Sequence, residues 1–357
     1  MISTANKKPK YEILKNFILD GINAGKYRED CRIPSEKELM ELFSTSHITA
    51  RKALSDLVGD GKVYRIQGKG SFVSPSTQAS NEPAMVLSQI MSAGEWNDSA
   101  IVSMIQGVNA YVSGKGMQVH IDFIKEDTST EKEYLHRLID EKAAGALLFL
   151  SDPEKNTAEL QELDRAGVPY VLLDRCARSY QTNYVGSNNI AGSCEQIRYL
   201  NELGHKKICF ASFSLALNTE RERYAGYLEG MTRNSGSFSG KLVSSLDLLV
   251  ADIIPMIKKG EITALAALND RTAMDIIKIL DQNGISVPQD VSVIGFDDWE
   301  PARYSHPALT TIRQDFFKIG QEGAKLLLDA IQDKSIRGKS VLLPISLITR
   351  ESAQAAT

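Results

Sequence analysis

Polar side chains follow several short apolar runs between residues 85 and 300, at the point where each run ends. These side chains are Trp96, Asp152, Asp174, Arg175, Asn269, Asp270, Asp297 and Asp298. Carboxylate, amide and guanidinium groups bind hydroxyl groups through paired hydrogen bonds, and an indole packs against the apolar face of a ring. This set of residue types therefore predicts a site for a small hydroxylated ligand. Loop residues of the same types also cap helices, which is the alternative interpretation for Asp270 and Asp298.

A second group of functional candidates lies in the amino-terminal quarter of the chain. Residues 46–52 have the sequence SHITARK, and the glycine-flanked cation Lys69 follows in a GKG segment. Hydroxyl, imidazole and guanidinium groups in the first turns of a helix are suited to base edges in the DNA major groove. The sequence therefore predicts that this end of the chain binds DNA.

Two short amphipathic helices must position these amino-terminal residues. Ser35 and Glu38 predict a capping box at the start of the first helix, and Ser46 predicts the N-cap of the second. The predicted buried stripe of the second helix consists of Ile48, Ala53, Leu54, Leu57 and Val58. With a preceding helix over 9–30 and a hairpin over 62–74, these elements predict a winged helix-turn-helix.

From Met85 onward, short apolar runs alternate with amphipathic segments. Continuous runs such as GALLFL (145–150) and VSVIGF (291–296) are typical of strands buried on both faces. The alternation predicts an α/β fold with two doubly wound parallel-sheet subdomains, which bind ligands beyond the carboxyl ends of their strands. The predicted organisation is a DNA-binding domain over 1–74, a linker over 75–84, an N-terminal subdomain over 85–183 and 314–338, and a C-terminal subdomain over 184–313 and 339–357.

Charge is distributed unevenly along the 357 residues. Residues 1–75 contain 13 Lys/Arg and 9 Asp/Glu, a net charge of +4, whereas the other 28 Lys/Arg and 36 Asp/Glu give −8. A cationic first domain attached to an acidic remainder fits a molecule that contacts phosphates at one end. The four cysteines are widely spaced, and the amino terminus has no apolar signal segment, so we expect a cytoplasmic protein with no membrane partner.

Catalytic motifs are not found in the sequence. It contains no nucleophile elbow, no phosphate-binding P-loop and no HExxH motif, and its five histidines are scattered. We therefore expect neither an enzyme nor a bound cofactor or metal.

Residues 34–73 resemble the GntR family of winged-helix regulators through the segments PSEKELMELF, SHITARKAL and QGKGSFV. His47 departs from the family pattern, which usually has arginine at this position, so the base preference stays open. With this resemblance, the predicted DNA-binding residues are Ser35, Lys37, Ser46, His47, Thr49, Arg51, Lys52, Gln67, Gly68, Lys69 and Gly70.

The remaining residues resemble the ligand-binding core of the LacI/GalR repressors, which is similar to periplasmic sugar-binding proteins. The segments that match are YVGSNNIAG (184–192), VPQDVSVIGFDD (287–298), PALTTIRQDF (307–316) and LLPISLITRES (342–352). The predicted effector-binding residues are Trp96, Arg175, Arg223, Asn269, Asp297 and Gln314.

The combination of both resemblances is the arrangement of AraR-type sugar repressors. It implies a homodimeric repressor of carbohydrate utilisation that binds a palindromic DNA operator and is released by arabinose or another monosaccharide. Two alternatives stay open, namely the same architecture with a purine or another non-sugar effector, and a soluble sugar-binding protein. The sequence does not decide which sugar binds, whether it acts as an inducer or a corepressor, or whether the protein forms dimers or tetramers.

Overall fold

The computed structural model describes residues 9–23, 25–28, 30–60, 62–66, 69–74, 85–93, 99–125, 127–233 and 240–356. Of residues 23, 59 and 85–93, the backbone alone is described. The chain divides into two units, Met1–Ala84 and Met85–Thr357, which are called the head and the body below. The predicted linker, 75–84, lies outside the described residues.

The head consists of three helices and a two-stranded antiparallel hairpin. Its elements are α1 (Lys10–Asn23), α2 (Glu36–Phe43), α3 (His47–Gly59), β1 (Val63–Ile66) and β2 (Gly70–Val73). All five elements contribute to one apolar core, which includes Leu14, Ile18, Leu39, Leu54, Leu57, Val63 and Val73. The predicted winged helix-turn-helix is confirmed.

Both predicted helix caps are present in the head. The backbone N–H of Glu38 donates to Ser35 Oγ at 3.2 Å, and the backbone N–H of Ser35 donates to Glu38 Oε2 at 2.6 Å. Ser46 Oγ accepts from the backbone N–H of Thr49 at 3.3 Å. Because the first N–H groups of a helix have no partner inside the helix, these side chains determine where α2 and α3 begin.

The predicted buried stripe of α3 is partly wrong. Ile48 is 79% exposed and Val58 is 38% exposed. The residues of α3 that are buried are Ala50, Ala53, Leu54 and Leu57. This stripe repeats every three to four residues, and Ile48 lies about 200° around the helix from Ala50, since each residue turns the helix by about 100°. Ile48 therefore lies on the polar face of α3.

The first helix is shorter than predicted, because it ends at Asn23 rather than near residue 30. Gly25 has a φ of 71°, and the carbonyl oxygen of Gly21 accepts hydrogen bonds from the backbone N–H groups of Lys26 and Tyr27. These bonds end the helix by occupying one of its last carbonyl groups, in a turn that glycine adopts without strain.

Each half of the body, called the first and the second lobe, is built on one six-stranded sheet. In the first lobe the strands are β3 (Met85–Ala93), β4 (Met117–Lys125), β5 (Ala146–Phe149), β6 (Tyr170–Leu173), β7 (Tyr184–Ser187) and β13 (Ser340–Leu343), in the order β13-β7-β6-β5-β3-β4. In the second lobe they are β8 (Ile208–Ala211), β9 (Lys241–Val243), β10 (Ala264–Ala267), β11 (Ser292–Asp297), β12 (Thr310–Arg313) and β14 (Ser346–Ile348), in the order β14-β12-β11-β10-β8-β9. The neighbouring strands are parallel, except that β14 is antiparallel to β12.

Helices cover both faces of each sheet, so that alternate residues of the central strands enter two different apolar clusters. The helices of the first lobe are α4 (Ser99–Val112), α5 (Thr128–Asp140), α6 (Thr157–Ala166) and α12 (Phe316–Gln332). Those of the second lobe are α7 (Asn189–Glu202), α8 (Asn218–Arg233), α9 (Leu246–Leu248), α10 (Ile254–Lys258) and α11 (Asp270–Gln282). The predicted α/β fold with doubly wound parallel sheets is confirmed. Among the described helices, none has the length and apolarity needed to span a bilayer.

The chain passes between the lobes three times, after β7, β12 and β13. The predicted subdomain boundaries at 183/184 and 338/339 are wrong for two strands. Both Tyr184–Ser187 and Ser340–Leu343 belong to the sheet of the first lobe, since β7 pairs with β6 and β13 pairs with β7. The apolar pattern predicts that a segment is a strand, but the partner strand is chosen by contacts distant in sequence.

Candidate ligand cleft and nucleic-acid interface

A cavity of about 960 Å³ lies between the two lobes of the body. The first lobe contributes Phe149, Asp174 and Phe316, and the second lobe contributes residues that follow β10 and β11. Five of the predicted effector-binding residues line this cavity, namely Arg175, Arg223, Asn269, Asp297 and Gln314. The sixth, Trp96, lies outside the described residues. The carboxyl ends of the strands thus bring side chains from distant parts of the sequence to one cleft.

Arg223 is the cationic centre of the cleft, and it is buried with 6% exposure. Its Nε donates to Asn189 Oδ1 at 3.0 Å and its Nη1 donates to the carbonyl oxygen of Leu268 at 2.9 Å. The same Nη1 lies 3.2 Å from Asp297 Oδ1, and the guanidinium stacks 3.9 Å above the Phe296 ring. These contacts leave the planar guanidinium in a single orientation with one edge at the cavity.

Asp297 contacts both Arg223 and Gln314, and Gln314 lies directly after β12, where the chain passes from the second lobe to the first. Gln314 Nε2 donates to Asp297 Oδ1 at 2.7 Å. Gln314 Oε1 is buried and has no hydrogen-bond partner among the described residues, so an acceptor remains available at the cleft. Asp297 and Asp298 have φ values of 118° and 57°, a strained conformation for residues with side chains. Such strain persists where the surroundings impose it, which is common at functional sites.

Asn269 and Arg175 have structural contacts in addition to their position in the cleft. Asn269 is the N-cap of α11, and its Oδ1 accepts from the backbone N–H of Thr272 at 2.9 Å. The cap uses the side-chain oxygen alone, so the amide nitrogen of Asn269 can still donate to a ligand. Arg175 Nη1 donates to the carbonyl oxygens of Leu150 and Ser151 at 3.3 and 2.9 Å, so this guanidinium also holds the loop after β5.

Asp270 and Asp298, for which helix capping is the alternative interpretation, have other partners. Of these two residues, Asp298 lines the cavity and Asp270 does not. Asp270 is buried and accepts hydrogen bonds from Thr311 Oγ1 at 2.5 Å and the backbone N–H of Trp299 at 2.7 Å. Burial, and next the negative charge of Asp297, raises the pKa of Asp270 to about 8. At neutral pH the Asp270 side chain is therefore mostly the neutral acid.

Asp298 is the centre of an ion-pair cluster with three arginines. Arg303 and Arg313 contact its Oδ2 at 3.1 and 2.7 Å, and Arg350 contacts its Oδ1. Burial opposes ionisation of this carboxyl, but hydrogen bonds from Arg350 and Arg313 lower its pKa below the usual range. The cluster joins β11, β12 and the carboxyl-terminal segment at the edge of the cleft.

Trp299 is a cleft residue that is not among those predicted from the sequence. It lines the cavity, and the Arg271 guanidinium lies 5.5 Å from the centre of its ring. The signal in the sequence is its position two residues after the end of β11, where a polar-and-aromatic set was already predicted. Across the cleft lining, five arginines stand against six aspartates and glutamates, so the charges nearly balance. A neutral ligand with many hydrogen-bonding groups fits such a lining.

In the head, four predicted DNA-binding cations are exposed, namely Lys37, Arg51, Lys52 and Lys69. Their side chains form no ion pair with any residue that the structure describes. Gln67 and Gly68 lie outside the described residues. Gly70, which ends the hairpin tip, has a φ of 119°, a conformation that favours glycine.

Two further predicted contacts, Ser46 and Thr49, form the amino terminus of α3. Their hydroxyl groups are 2.9 Å apart, and Ser46 is the helix N-cap. Ser35 has the corresponding role for α2. Helix amino termini with unpaired N–H groups attract phosphate, so capping and DNA contact are compatible here. Lys52 leans towards α1, where its Nζ lies 4.0 Å from the centre of the Tyr11 ring.

Glu36 is an acidic residue that lies beside the amino terminus of α3. Its carboxylate lies 2.8 Å from His47 Nε2 and 3.1 Å from Arg65 Nη2. Glu36 thus links the start of α3 to strand β1 of the hairpin. The sequence gives no local signal for this contact, because the three residues are far apart in the chain.

Comparisons with known proteins agree with both resemblances. Residues 10–73 match the bacterial regulatory proteins of the gntR family, and residues 197–353 match a periplasmic binding protein-like domain. An HTH-type transcriptional repressor PurR from Vibrio parahaemolyticus is 32% identical over 65% of this chain and 70% of its own length. The chain belongs to the bacterial transcriptional repressors that carry a periplasmic binding protein-like domain. The expectation of a regulator rather than an enzyme is thereby confirmed.

This repressor is similar to one group of relatives over nearly its whole length. An arabinose metabolism transcriptional repressor from Geobacillus stearothermophilus is 28% identical over 97% of this chain and 98% of its own length. Two solved structures share the fold. A complex of the transcriptional regulator CelR with cellobiose has 22% sequence identity and a TM-score of 0.66, and the match covers 87% of this chain and 92% of the other. A lac repressor dimer bound to operator and an anti-inducer has 24% identity and a TM-score of 0.64, and the match covers 77% of this chain and 96% of the other.

Proposed function

We propose that this repressor controls a carbohydrate-utilisation regulon, binds a palindromic operator as a homodimer and is released from it by arabinose or another monosaccharide. Its full-length relatives from two organisms are named arabinose metabolism transcriptional repressors, which supports the sugar class. A protein that acts on the chromosome works in the cytoplasm, and we propose this location. The proposed effector-binding residues are Trp96, Arg175, Arg223, Asn269, Asp297 and Gln314.

The observation that carries the proposal is the hydrogen-bonded set Arg223–Asp297–Gln314 in a cleft of nearly balanced charge. Each sugar hydroxyl can donate one hydrogen bond and accept others, so it is best bound where donors and acceptors alternate. Arg223 and the Asn269 amide nitrogen supply donors, and Asp297 and Gln314 Oε1 supply acceptors. Hydrogen bonds to the charged members of this set contribute about 1.5–3 kcal/mol each.

Release follows from the two-lobe construction of the body. A ligand that contacts both lobes binds best to the arrangement of the lobes in which all of its contacts form. It thereby shifts the population towards that arrangement. A coupling free energy of about 1–3 kcal/mol between ligand and operator changes operator affinity about 5–150-fold. In a dimer, two α3 helices would meet successive major grooves about 34 Å apart, which is why the operator is expected to be palindromic.

A purine effector is the second candidate, and the aromatic residues of the cleft favour it. Phe149, Trp299 and Phe316 line the cavity beside Arg223 and Asp297. Planar bases stack on aromatic rings and take paired hydrogen bonds from guanidinium and carboxylate groups. The experiment below separates this candidate from a sugar.

The test is operator binding by the full chain in the presence of candidate effectors. An operator is first selected from randomised duplexes, and its affinity is then measured by fluorescence anisotropy with arabinose, other pentoses and hexoses, guanine and hypoxanthine. One monosaccharide is expected to weaken operator binding at least fivefold. If purines alone weaken it, the second candidate replaces the first, and if no compound changes it, the proposed effector response is wrong.

A pair of variants on α8 assigns the response to the cleft. Arg223→Lys keeps the charge beside Asp297 but loses the planar fork, so we expect the sugar concentration for half-release to rise at least tenfold. Arg233→Lys is the matched control, because Arg233 lies on the same helix, is exposed and pairs with Glu229. Equal responses of the two variants would contradict the role assigned to Arg223.

A further inference from the structure

Ile48 is an apolar side chain in an unusual position. It is 79% exposed, more than any other large hydrophobic residue that the structure describes, and it is the second residue of α3. Its neighbours His47, Arg51 and Lys52 are exposed polar residues. An exposed branched aliphatic side chain contributes no burial free energy to the fold, and isoleucine is also a weaker helix former than alanine. Neither the stability of the head nor the propensity of α3 therefore accounts for an isoleucine here.

The surface around Ile48 has the charge that a nucleic acid requires. Residues three and four apart lie on one helix face, so Ile48 shares its face with Arg51 and Lys52. Arg51 and Lys37 are exposed cations without an ion-pair partner in the described part of the head. An apolar residue that shares its helix face with Arg51 and Lys52 suits an anionic duplex better than an apolar protein surface, where unpaired charges would be desolvated at a cost.

One chemical group of the major groove matches an isoleucine side chain. Each base pair presents hydrogen-bond donors and acceptors at this edge, but thymine alone presents a methyl group, at C5. The first turn of a helix that lies in the major groove contacts the base edges. We propose that Ile48 packs against the C5-methyl group of one thymine in each operator half-site and thereby determines base preference at that position. This inference rests on the proposed DNA binding by the head.

The test removes only the methyl group. In the selected operator, each thymine of a half-site is replaced in turn by deoxyuridine, and affinity for the full chain is measured by fluorescence anisotropy at fixed salt. We expect one position at which the replacement weakens binding about fourfold in one half-site and about fifteenfold in both, which corresponds to the loss of one buried methyl group per half-site.

Two variants assign this effect to Ile48. Ile48→Ala is expected to bind the thymine operator more weakly and to show no further loss with deoxyuridine at the same position. Leu42→Ala is the matched control, because Leu42 is 63% exposed on α2 and is expected to leave the deoxyuridine effect unchanged. Circular dichroism of both variants is expected to match that of the unmodified chain, since neither side chain is buried.

The outcomes separate this inference from the proposed function. Selective operator binding with no deoxyuridine effect at any thymine would overturn the inference and leave the proposed function intact. A full deoxyuridine effect in Ile48→Ala would do the same, because another residue would then contact the methyl group. If the full chain selects no duplex at all, the proposed function and the inference are both wrong.

Discussion

Replacement of Asp270 by asparagine tests the electrostatics of the second lobe. The pKa of Asp270 is about 8 in the folded protein, against an ordinary value of 3.8, because the carboxyl is buried and next because Asp297 is negative. Between these two pH values the unfolded chain has released the proton while the folded chain keeps it. The unfolded state then binds fewer protons, so the free energy of unfolding falls as the pH rises from about 4 to about 8.

The size of this effect follows from the separation of the two pKa values. About four pH units at about 1.4 kcal/mol each give an upper figure of about 6 kcal/mol for the cost of ionising Asp270 in the folded state. Asparagine keeps the shape of the neutral acid, and it can accept from the Trp299 N–H and donate to Thr311 Oγ1. As the pH rises from 4 to 9, the free energy of unfolding of Asp270→Asn is therefore expected to increase by several kcal/mol relative to that of the unmodified chain.

Urea unfolding at a series of pH values measures this difference. Trp299 donates its backbone N–H to Asp270, so its fluorescence reports on the relevant lobe. The sequence contains two tryptophans, and a Trp96→Phe background leaves Trp299 as the single fluorophore. Asp275→Asn is the control, because Asp275 is exposed on the same helix. Parallel pH profiles for Asp270→Asn and the unmodified chain would refute the reasoning.

Three further substitutions test the packing and the head. Gly320→Ala places a methyl group 2.0 Å from the Met104 carbonyl oxygen. It is expected to lower the free energy of unfolding, measured by denaturant titration, by about 3 kcal/mol. An unchanged denaturation midpoint would contradict this close approach of α4 and α12. Glu36→Gln removes a negative charge from the surface that we propose contacts DNA, and it releases His47, so anisotropy titrations should show operator affinity about three- to tenfold higher. Weaker binding would mean that the ion pair positions His47 for contact. Gly70→Ala forces a side chain into a φ of 119° and is expected to cost about 1–3 kcal/mol in thermal denaturation of the head; equal melting would show that the hairpin relaxes without strain.

Features that depend on near neighbours in the chain could be predicted from the sequence. The capping box of Ser35 and Glu38 spans three residues, and both of its hydrogen bonds are present. The N-cap at Ser46 is equally local. The continuous apolar runs predicted strands such as Ala146–Phe149 because a strand covered on both faces needs no polar residues. The position of cleft residues after strand ends follows from the same pattern.

Features that depend on distant partners were missed or misplaced. Asp298 forms ion pairs with Arg303, Arg313 and Arg350, and no local pattern in the sequence shows that these residues lie together. Ile48 was placed in the buried stripe because apolar residues are usually inside, whereas the direction of its side chain depends on the phase of the whole helix. Glu36, which contacts the start of α3, gave no signal in the sequence either.

The amino-acid sequence by itself determined the order of elements, their caps, the two-part organisation and the residue types available to a ligand, because these depend on periodicity and on hydrogen bonds over a few residues. The tertiary structure alone decided which sheet receives Tyr184–Ser187 and Ser340–Leu343, and it joined Arg223, Asp297 and Gln314 in one cleft. Such pairings connect residues that are 12 (Leu172 and Tyr184) to 156 (Tyr184 and Ser340) positions apart in the chain. They form because the folded chain must satisfy all backbone groups and bury its apolar surface at the same time.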